Sequence, residues 1–195
     1  KIKHTHFKQL TDIFIIYTKK IWLFFKVFIL LLAIHSNFAR ADSEQVGDVL
    51  SLLIPSIAMG GTVFFEEDRE GSVEFLKAFA TSQFLTEGLK RTIHKERPNG
   101  RCCKSFPSGH SSRAFVGASF IHKRYGFKYS IPAYIAAIYV GSSRIDAKQH
   151  RIEDVLGGAL IGMLSSYYFV DPYKGVKITP VASRNFYGVA LSRSF

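Results

Sequence analysis

Apolar residues occur along this chain in blocks that short polar or charged segments separate. The block at 49–65 is mostly apolar and ends at an acidic cluster, which predicts a first helix with a site for a kink at Pro55. From Ser72, apolar residues then recur at steps of three and four residues to about Thr92. This spacing is typical of an amphipathic helix, and Ser72 is its predicted N-cap.

Three more helices are predicted downstream, over about 109–125, from 130 onward and over about 152–170. Pro132 would lie near the first turn of the middle one, where a missing N–H group costs little. The last one carries Gly158 and Gly162, and this spacing lets another helix approach closely.

The C-terminal residues change from a helical to an alternating pattern. In the segment 185–195, Tyr187, Val189 and Leu191 alternate with smaller residues, which predicts a strand that pairs with 176–182 in a short hairpin. The predicted fold is therefore all-α, a compact helical bundle of about five to six core helices with a β-type tail at 173–195.

The N-terminal 41 residues have the order of a secretory signal. Lys19 and Lys20 precede an apolar stretch at 21–34, and the small-x-small motif Ala39–Ala41 follows. The stretch is shorter than the roughly 20 residues of a spanning helix, which favours cleavage after Ala41 over an uncleaved anchor. Both alternatives place the helical domain, 42–172, outside the cytoplasm.

Composition narrows the classes of function. The 195 residues are 47% hydrophobic and 21% charged, as in one globular domain. The net charge is +11, but +6 of it lies in residues 1–41, so the remainder carries only +5. A dispersed charge of this size argues against nucleic acid as a partner and fits a small anionic substrate. The adjacent Cys102 and Cys103 predict neither a disulfide framework nor a zinc site.

The lengths of the apolar runs bear on whether the domain crosses a membrane. The runs at 49–65, 129–143 and 155–170 contain 17, 15 and 16 residues and are interrupted by Pro, Ser or Gly. Because a span needs about 20, these lengths favour a domain that is soluble or rests on a membrane surface.

Two clusters of candidate functional residues flank the start of the third helix. Lys90 and Arg97 lie seven residues apart, so they share a face if the second helix continues that far. The turn Pro107–His110 opens the third helix, where unpaired backbone N–H groups and the positive end of the helix dipole form an anion site. Gly109 lets an oxyanion approach the backbone.

The third cluster combines Arg144, His150 and Asp154. The i,i+4 spacing of His150 and Asp154 predicts that they lie side by side on one helix face. A carboxylate in that position can hold one ring N–H and leave the other nitrogen as a nucleophile.

In this order, Lys-x6-Arg-Pro, Pro-Ser-Gly-His and Ser-Arg-x5-His-x3-Asp resemble the signature of the type 2 phosphatidic acid phosphatase family. That family includes bacterial class A acid phosphatases and vanadium haloperoxidases. The resemblance covers about residues 45–172 and implies a helical bundle that brings the three clusters together.

The resemblance also implies residue roles. His150 would attack phosphorus, Asp154 would orient it, and His110 would protonate the leaving oxygen and later activate water. The implied ligands of the phosphoryl oxygens are Lys90, Arg97, Ser108, Gly109 and Arg144. Neither a metal nor another cofactor is expected, because fixed cations supply the charge.

The expected function is an extracytoplasmic, membrane-associated phosphatase, periplasmic in a bacterium, whose substrate is a phosphorylated lipid or another phosphate ester. The alternative is a nonspecific soluble acid phosphatase. A vanadate-dependent haloperoxidase and an inactive membrane-docked binding protein have less support, and the intact histidines argue against the latter.

Overall fold

The computed structural model describes residues 42–66, 68–173, 176–183 and 186–193, the last two ranges by backbone alone. The predicted signal segment, 1–41, lies outside them. The described helices are α1 (Ser43–Phe65), α2 (Glu70–Thr92), α3 (Gly109–Tyr125), α4 (Phe127–Asp146) and α5 (Ile152–Phe169). They confirm the all-α bundle.

Three predicted helix starts need correction. Helix α1 begins at Ser43, six residues before the apolar block. Helix α2 begins before Ser72, whose hydroxyl is not a cap but lies 2.7 Å from the hydroxyl of Thr62. Helix α4 begins at Phe127, so Pro132 lies inside it rather than in the first turn. Polar residues extend α1 beyond its apolar pattern, whereas α4 is extended by Phe127, Lys128 and Tyr129.

The start of α3 is as predicted. Ser108 is the N-cap, with extended backbone dihedral angles and a hydroxyl that accepts a hydrogen bond from the Ser111 N–H at 3.4 Å. The helix ends at Gly126, whose φ of +104° disfavours other residues. Local capping chemistry therefore fixes both ends of α3.

The helices alternate in direction, which gives the bundle two ends. We call one the upper end and the other the lower end. The upper end comprises 43–48, 90–110 and 144–154, and the lower end comprises 65–70, 123–128 and 169–173. Residues far apart in sequence meet at each of them.

Helix α3 lies at the centre and packs against the other four helices. Its approach to α5 depends on the predicted glycine pair. A Cβ atom on Gly158 would overlap the carbonyl oxygen of Ser108, and one on Gly162 would lie 2.6 Å from the carbonyl oxygen of Ser112. Close contact between these backbones places the start of α3 beside the start of α5.

The interior contains many small and hydroxyl-bearing residues. Ser82, Thr86 and Ser112 are fully buried, and the hydroxyl of Ser112 lies 2.6 Å from that of Ser82 and 2.9 Å from that of Thr86. Such bonds satisfy hydroxyl groups that would otherwise be costly to bury.

The side wall of the bundle is largely apolar between the two ends, although Lys77 on α2 is exposed there. Phe84 is 79% exposed and Tyr168 is 82% exposed. We call this surface the apolar belt, and it includes Leu52, Ile57, Val63, Val73, Leu76, Phe84, Leu85, Ile131, Ile135, Ile138, Tyr139, Leu156, Leu160, Leu164 and Tyr168. Helix α1, with a mean hydropathy of 1.7 in its most apolar window, is long and apolar enough to cross a membrane.

The backbone of the tail forms a two-stranded antiparallel hairpin. Strand β1 (Val176–Ser183) pairs with β2 (Phe186–Arg193), with Val176 opposite Arg193 and Ser183 opposite Phe186.

Candidate active site

The upper end encloses a cavity of about 290 Å³, which we call the catalytic cavity. Its walls come from α1, α2, α3, α4 and the loops after α2 and α4. The lining residues are Glu44, Asp48, Lys90, Arg97, Arg101, His110, Arg144, Gln149 and His150. The fold thus brings together residues from all three sequence clusters.

His150 lies in the loop before α5 and is only 3% exposed. The predicted shared helix face is wrong, because α5 begins at Ile152 and its N-cap is Arg151. His150 Nδ1 nevertheless lies 3.8 Å from Asp154 Oδ2, beyond hydrogen-bond distance, and has no hydrogen-bond partner among the described residues. Burial, reinforced by the charge of Arg97, lowers the pKa of His150 to about 4, so its ring is neutral at pH 7.

Asp154 is fully buried and is held by three other donors. Lys95 Nζ lies 2.7 Å from Oδ1, while the Ser105 hydroxyl and the Arg151 N–H donate to Oδ2 at 2.5 and 2.9 Å. Burial alone would raise the pKa of Asp154, but these hydrogen bonds lower it, so the carboxylate stays charged. The sequence motifs do not predict that Lys95 and Ser105 hold Asp154, because no motif places their loop against α5.

His110, the second residue of α3, faces the cavity from the opposite wall. Its Nε2 lies 2.9 Å from Asp48 Oδ1 on α1. Burial, followed by the charges of Arg113 and Arg144, lowers the pKa of His110 to about 4 against the pull of Asp48. The cavity therefore holds two neutral histidines.

Arg144 lies in the last turn of α4 with a side chain that is only 2% exposed. Its Nη1 donates to Asp48 Oδ1 at 2.7 Å, and its Nη2 donates to the backbone carbonyl of Glu44. Asp48 thus contacts both Arg144 and His110. Sequence reasoning missed Asp48 and Glu44, since they precede the apolar block of α1 and match no motif.

Lys90 and Arg97 both line the cavity, but not for the predicted reason. Helix α2 ends at Thr92, so Arg97 reaches the cavity from the following loop. Arg97 Nη1 donates to Gln149 Oε1 at 2.5 Å, which links this loop to the one that carries His150. Burial, opposed by Glu87 and reinforced by Arg97, lowers the pKa of Lys90.

Ser108 and Gly109 lie beside the cavity and do not line it. The buried hydroxyl of Ser108 accepts from the N–H and the hydroxyl of Ser111. A Cβ atom on Gly109 would lie 3.3 Å from Lys90 Nζ, so glycine leaves room for the ammonium group. That these two residues bind phosphate stays a prediction.

A second cavity of about 310 Å³, the side cavity, also lies at the upper end. It shares Lys90 with the catalytic cavity and includes Cys102 and Cys103. Within the described ranges, no three His, Cys, Asp or Glu side chains group as metal ligands.

The catalytic cavity combines two neutral histidines with four cationic side chains, those of Lys90, Arg97, Arg101 and Arg144. This combination is suited to an enzyme that binds and transfers phosphate groups. Residues 71–174, more than half of the chain, match the family model of the PAP2 superfamily. The chain belongs to this superfamily, which confirms the resemblance seen in its three motifs.

Two relatives are similar over most of their length. The chain is 35% identical to lipid A 4'-phosphatase of Helicobacter pylori, over 76% of this chain and 83% of the relative. It is 30% identical to phosphatidylglycerophosphatase B of Bacillus subtilis, over 75% of this chain and 90% of the relative. The chain is accordingly a phosphatase, a phosphoric monoester hydrolase.

Two crystal structures have a similar fold. The transmembrane PAP2-type phosphatidylglycerolphosphate phosphatase of Bacillus subtilis matches with a TM-score of 0.50 and 26% identity, over 77% of this chain and 93% of that one. Aquifex aeolicus LpxE matches with a TM-score of 0.50 and 24% identity, over 62% of this chain and 83% of that one.

Proposed function

We propose that this chain removes phosphate from monoesters or pyrophosphates of membrane lipids on the extracytoplasmic side, through a phosphohistidine and without a metal. The observation that carries the proposal is the position of the catalytic cavity, at one end of a bundle whose side wall is apolar. A lipid held beside this wall can present its phosphate to the cavity. The lipid phosphatases among the relatives support the same substrate class.

The apolar belt supports insertion of the bundle into the membrane. The five helices contain 17 to 23 residues, which corresponds to about 25 to 35 Å, close to the thickness of the hydrocarbon core. The apolar runs of the sequence are shorter than a span and contain polar interruptions, and run length alone therefore favours a soluble or surface-bound domain. Most of the interrupting hydroxyl residues, such as Ser51, Thr62 and Ser165, are buried inside the bundle. The exposed Ser56 and Ser142 donate their hydroxyl groups to backbone carbonyls of their own helices, so both sets are compatible with lipid contact outside. The catalytic residues lie beyond the belt.

The first chemical step transfers the phosphoryl group to His150. Since Nδ1 lies beside Asp154, Nε2 is the nitrogen left for the substrate. Nε2 forms a bond to phosphorus as the bond to the ester oxygen breaks, and His110 gives its proton to that oxygen. Asp154 then stabilises the positive charge that develops on the ring. For this role, the distance of 3.8 Å between His150 Nδ1 and Asp154 Oδ2 must shorten to a hydrogen bond. Hydrogen bonds at active sites often shorten in this way when the substrate binds.

Protonation of His110 must accompany substrate binding. Burial and then the charges of Arg113 and Arg144 keep the pKa of His110 at about 4 before a phosphate binds. A bound phosphate dianion offsets these charges and raises that pKa. His150 remains neutral because its ring is more deeply buried.

The second step regenerates the enzyme. His110, now neutral, takes a proton from a water molecule. The oxygen of that water bonds to phosphorus as the bond between phosphorus and His150 Nε2 breaks. Lys90, Arg97 and Arg144 stabilise the equatorial oxygens in both steps, and the backbone N–H groups at Gly109 add to this charge stabilisation. To stabilise these oxygens, Arg144 must give up its hydrogen bond to Asp48 and donate to the phosphate instead.

The test is phosphate release by the purified full chain in neutral detergent micelles. The substrates are lipid A, phosphatidylglycerophosphate, phosphatidic acid and a soluble aryl phosphate. We expect hydrolysis of at least one lipid that persists in EDTA and stops with vanadate, and none by His150→Ala. Hydrolysis of the soluble ester alone would favour the acid phosphatase alternative. Loss of activity in EDTA, restored by magnesium, would contradict the metal-free mechanism.

Location requires a separate measurement. N-terminal sequencing of the native protein is expected to begin at Asp42, after the small-x-small motif. A chain that retains 21–34 would establish the anchor instead.

A further inference from the structure

The side cavity has an unusually one-sided lining. Its walls contain Lys90, Arg91, His94 and Lys104 and no carboxylate. A concave surface lined by one sign of charge attracts an ion of the opposite sign. It is thus suited to an anion.

Two of these cations are not neutralised by any described residue. The side chains of Arg91 and Lys104 make no ion pair and no hydrogen bond with any part of the chain that the structure describes. Lys95 and Arg97, which belong to the same stretch, differ from them. Lys95 pairs with Glu153 and Asp154, and Arg97 donates to Gln149. Among the unpaired charges of this stretch, those of Arg91 and Lys104 line the side cavity, whereas that of Arg101 lines the catalytic cavity.

Lys90 links the side cavity to the catalytic cavity, since it lines both of them. An ammonium nitrogen that contacts one phosphate on each side limits the distance between the two phosphorus atoms to about 8 Å. Two phosphates joined by a short linker meet this limit, whereas phosphates at opposite ends of a larger headgroup exceed it.

We propose that the side cavity is a subsite for a second anionic group, a phosphate or a carboxylate, on the same substrate molecule, within about 8 Å of the phosphorus that is attacked. The inference rests on the proposed function. It narrows the substrate class to lipids that carry a second acidic group next to the phosphate that is removed, such as a glycerophosphate diester or a pyrophosphate.

The experiment compares two lipids with identical acyl chains. Phosphatidic acid carries one phosphate, and phosphatidylglycerophosphate carries a second. The double variant Arg91→Gln and Lys104→Gln removes both free charges and keeps an unbranched polar side chain at each position. The matched control is Lys148→Gln, which removes an exposed charge at the upper end outside both cavities.

For the double variant we expect KM to rise about tenfold for phosphatidylglycerophosphate and less than about twofold for phosphatidic acid, with kcat unchanged for both. The control should alter neither substrate. The charge-preserving double variant Arg91→Lys and Lys104→Arg should keep most of the selectivity, which separates loss of charge from loss of folding.

Equal changes for the two lipids, or no change for either, would overturn the subsite. A selective effect that appears only when inorganic phosphate or an anionic diester lipid is added would assign the cavity to a separate molecule and overturn it as well. If the unmodified chain hydrolyses no lipid phosphate, the proposed function fails first, and the subsite fails with it.

Discussion

The two ends of the bundle each bury an arginine, and the two arginines have different partners. At the lower end, Arg124 donates to both carboxylate oxygens of Glu66 at 2.9 and 2.7 Å and to Glu74 at 3.2 Å. Its Nη1 also donates to the backbone carbonyl of Asp171 at 3.1 Å. These carboxylates are themselves buried, and Tyr125 donates to Glu66 from another side.

At the upper end, Arg144 is equally buried but has less enclosed partners. Its carboxylate partner, Asp48, has a side chain that is 50% exposed and lies in the wall of the catalytic cavity. A substrate phosphate can take the place of that carboxylate, whereas nothing can reach Glu66. A buried arginine with buried partners therefore stabilises the fold, and one with an exchangeable partner is available for binding.

The largest expected effect is at the lower end. Arg124→Ala leaves Glu66 and Glu74 without their cation, and removal of one partner of a buried ion pair costs about 3–5 kcal/mol in the free energy of unfolding. Thermal unfolding in detergent should show a large fall in Tm. The control Lys128→Ala removes an exposed charge from the same end and should leave Tm unchanged. Unchanged stability in Arg124→Ala would refute the structural role.

The matching change at the upper end should affect activity more than stability. We expect Arg144→Ala to lower kcat/KM by about 10²- to 10³-fold, as when one charge-stabilising donor is removed. Its Tm should fall much less than that of Arg124→Ala, since Asp48 remains half-exposed to water. Steady-state kinetics and thermal unfolding of the same preparations test this prediction. If Arg144→Ala lowered Tm as much as Arg124→Ala does, the two arginines would not differ in role.

The sequence predicted the fold where local chemistry decides it. The cap at Ser108 fixed the start of α3, and the spacing of Gly158 and Gly162 predicted close helix packing. It could not predict that Asp48 reaches Arg144, because they lie 96 residues apart and meet only through packing. Arg97 lines the catalytic cavity as predicted, but from a loop and not from a helix. The sequence could not predict this, because side-chain periodicity carries no information about the path of a loop.

The pH dependence of stability should be moderate and have a defined sign. The pKa of His150 is about 4 in the folded chain, below its usual value of 6.5. The unfolded chain therefore binds a proton on acidification before the folded one does, and stability falls as the pH drops from about 6.5 to about 4. His150→Gln should reduce the slope of this part of the Tm-against-pH curve, and the slope that remains comes from His110, whose pKa is also about 4. An identical curve for the variant would contradict the neutral, buried state of the ring.

The smallest expected effect is on ligand binding. Asp48→Asn removes a negative charge from the cavity and frees Arg144, so inorganic phosphate should inhibit about fivefold more strongly, an effect of about 1 kcal/mol. Inhibition constants of the variant and the unmodified chain measure it. Weaker inhibition by phosphate would show that Asp48 positions Arg144 rather than competes with the substrate.

The central claim is that His150 is the nucleophile and His110 the acid and base. Rapid-quench labelling with an aryl phosphate tests it in His150→Ala, in His110→Ala and in the control His122→Ala, which alters a histidine near the lower end that bonds to Tyr134. The account predicts no phosphohistidine in His150→Ala, a persistent or accumulating one in His110→Ala with turnover slowed by about 10²- to 10⁴-fold, and normal labelling in the control. A phosphohistidine in His150→Ala, or labelling lost only in His110→Ala, would contradict it and reverse the two roles.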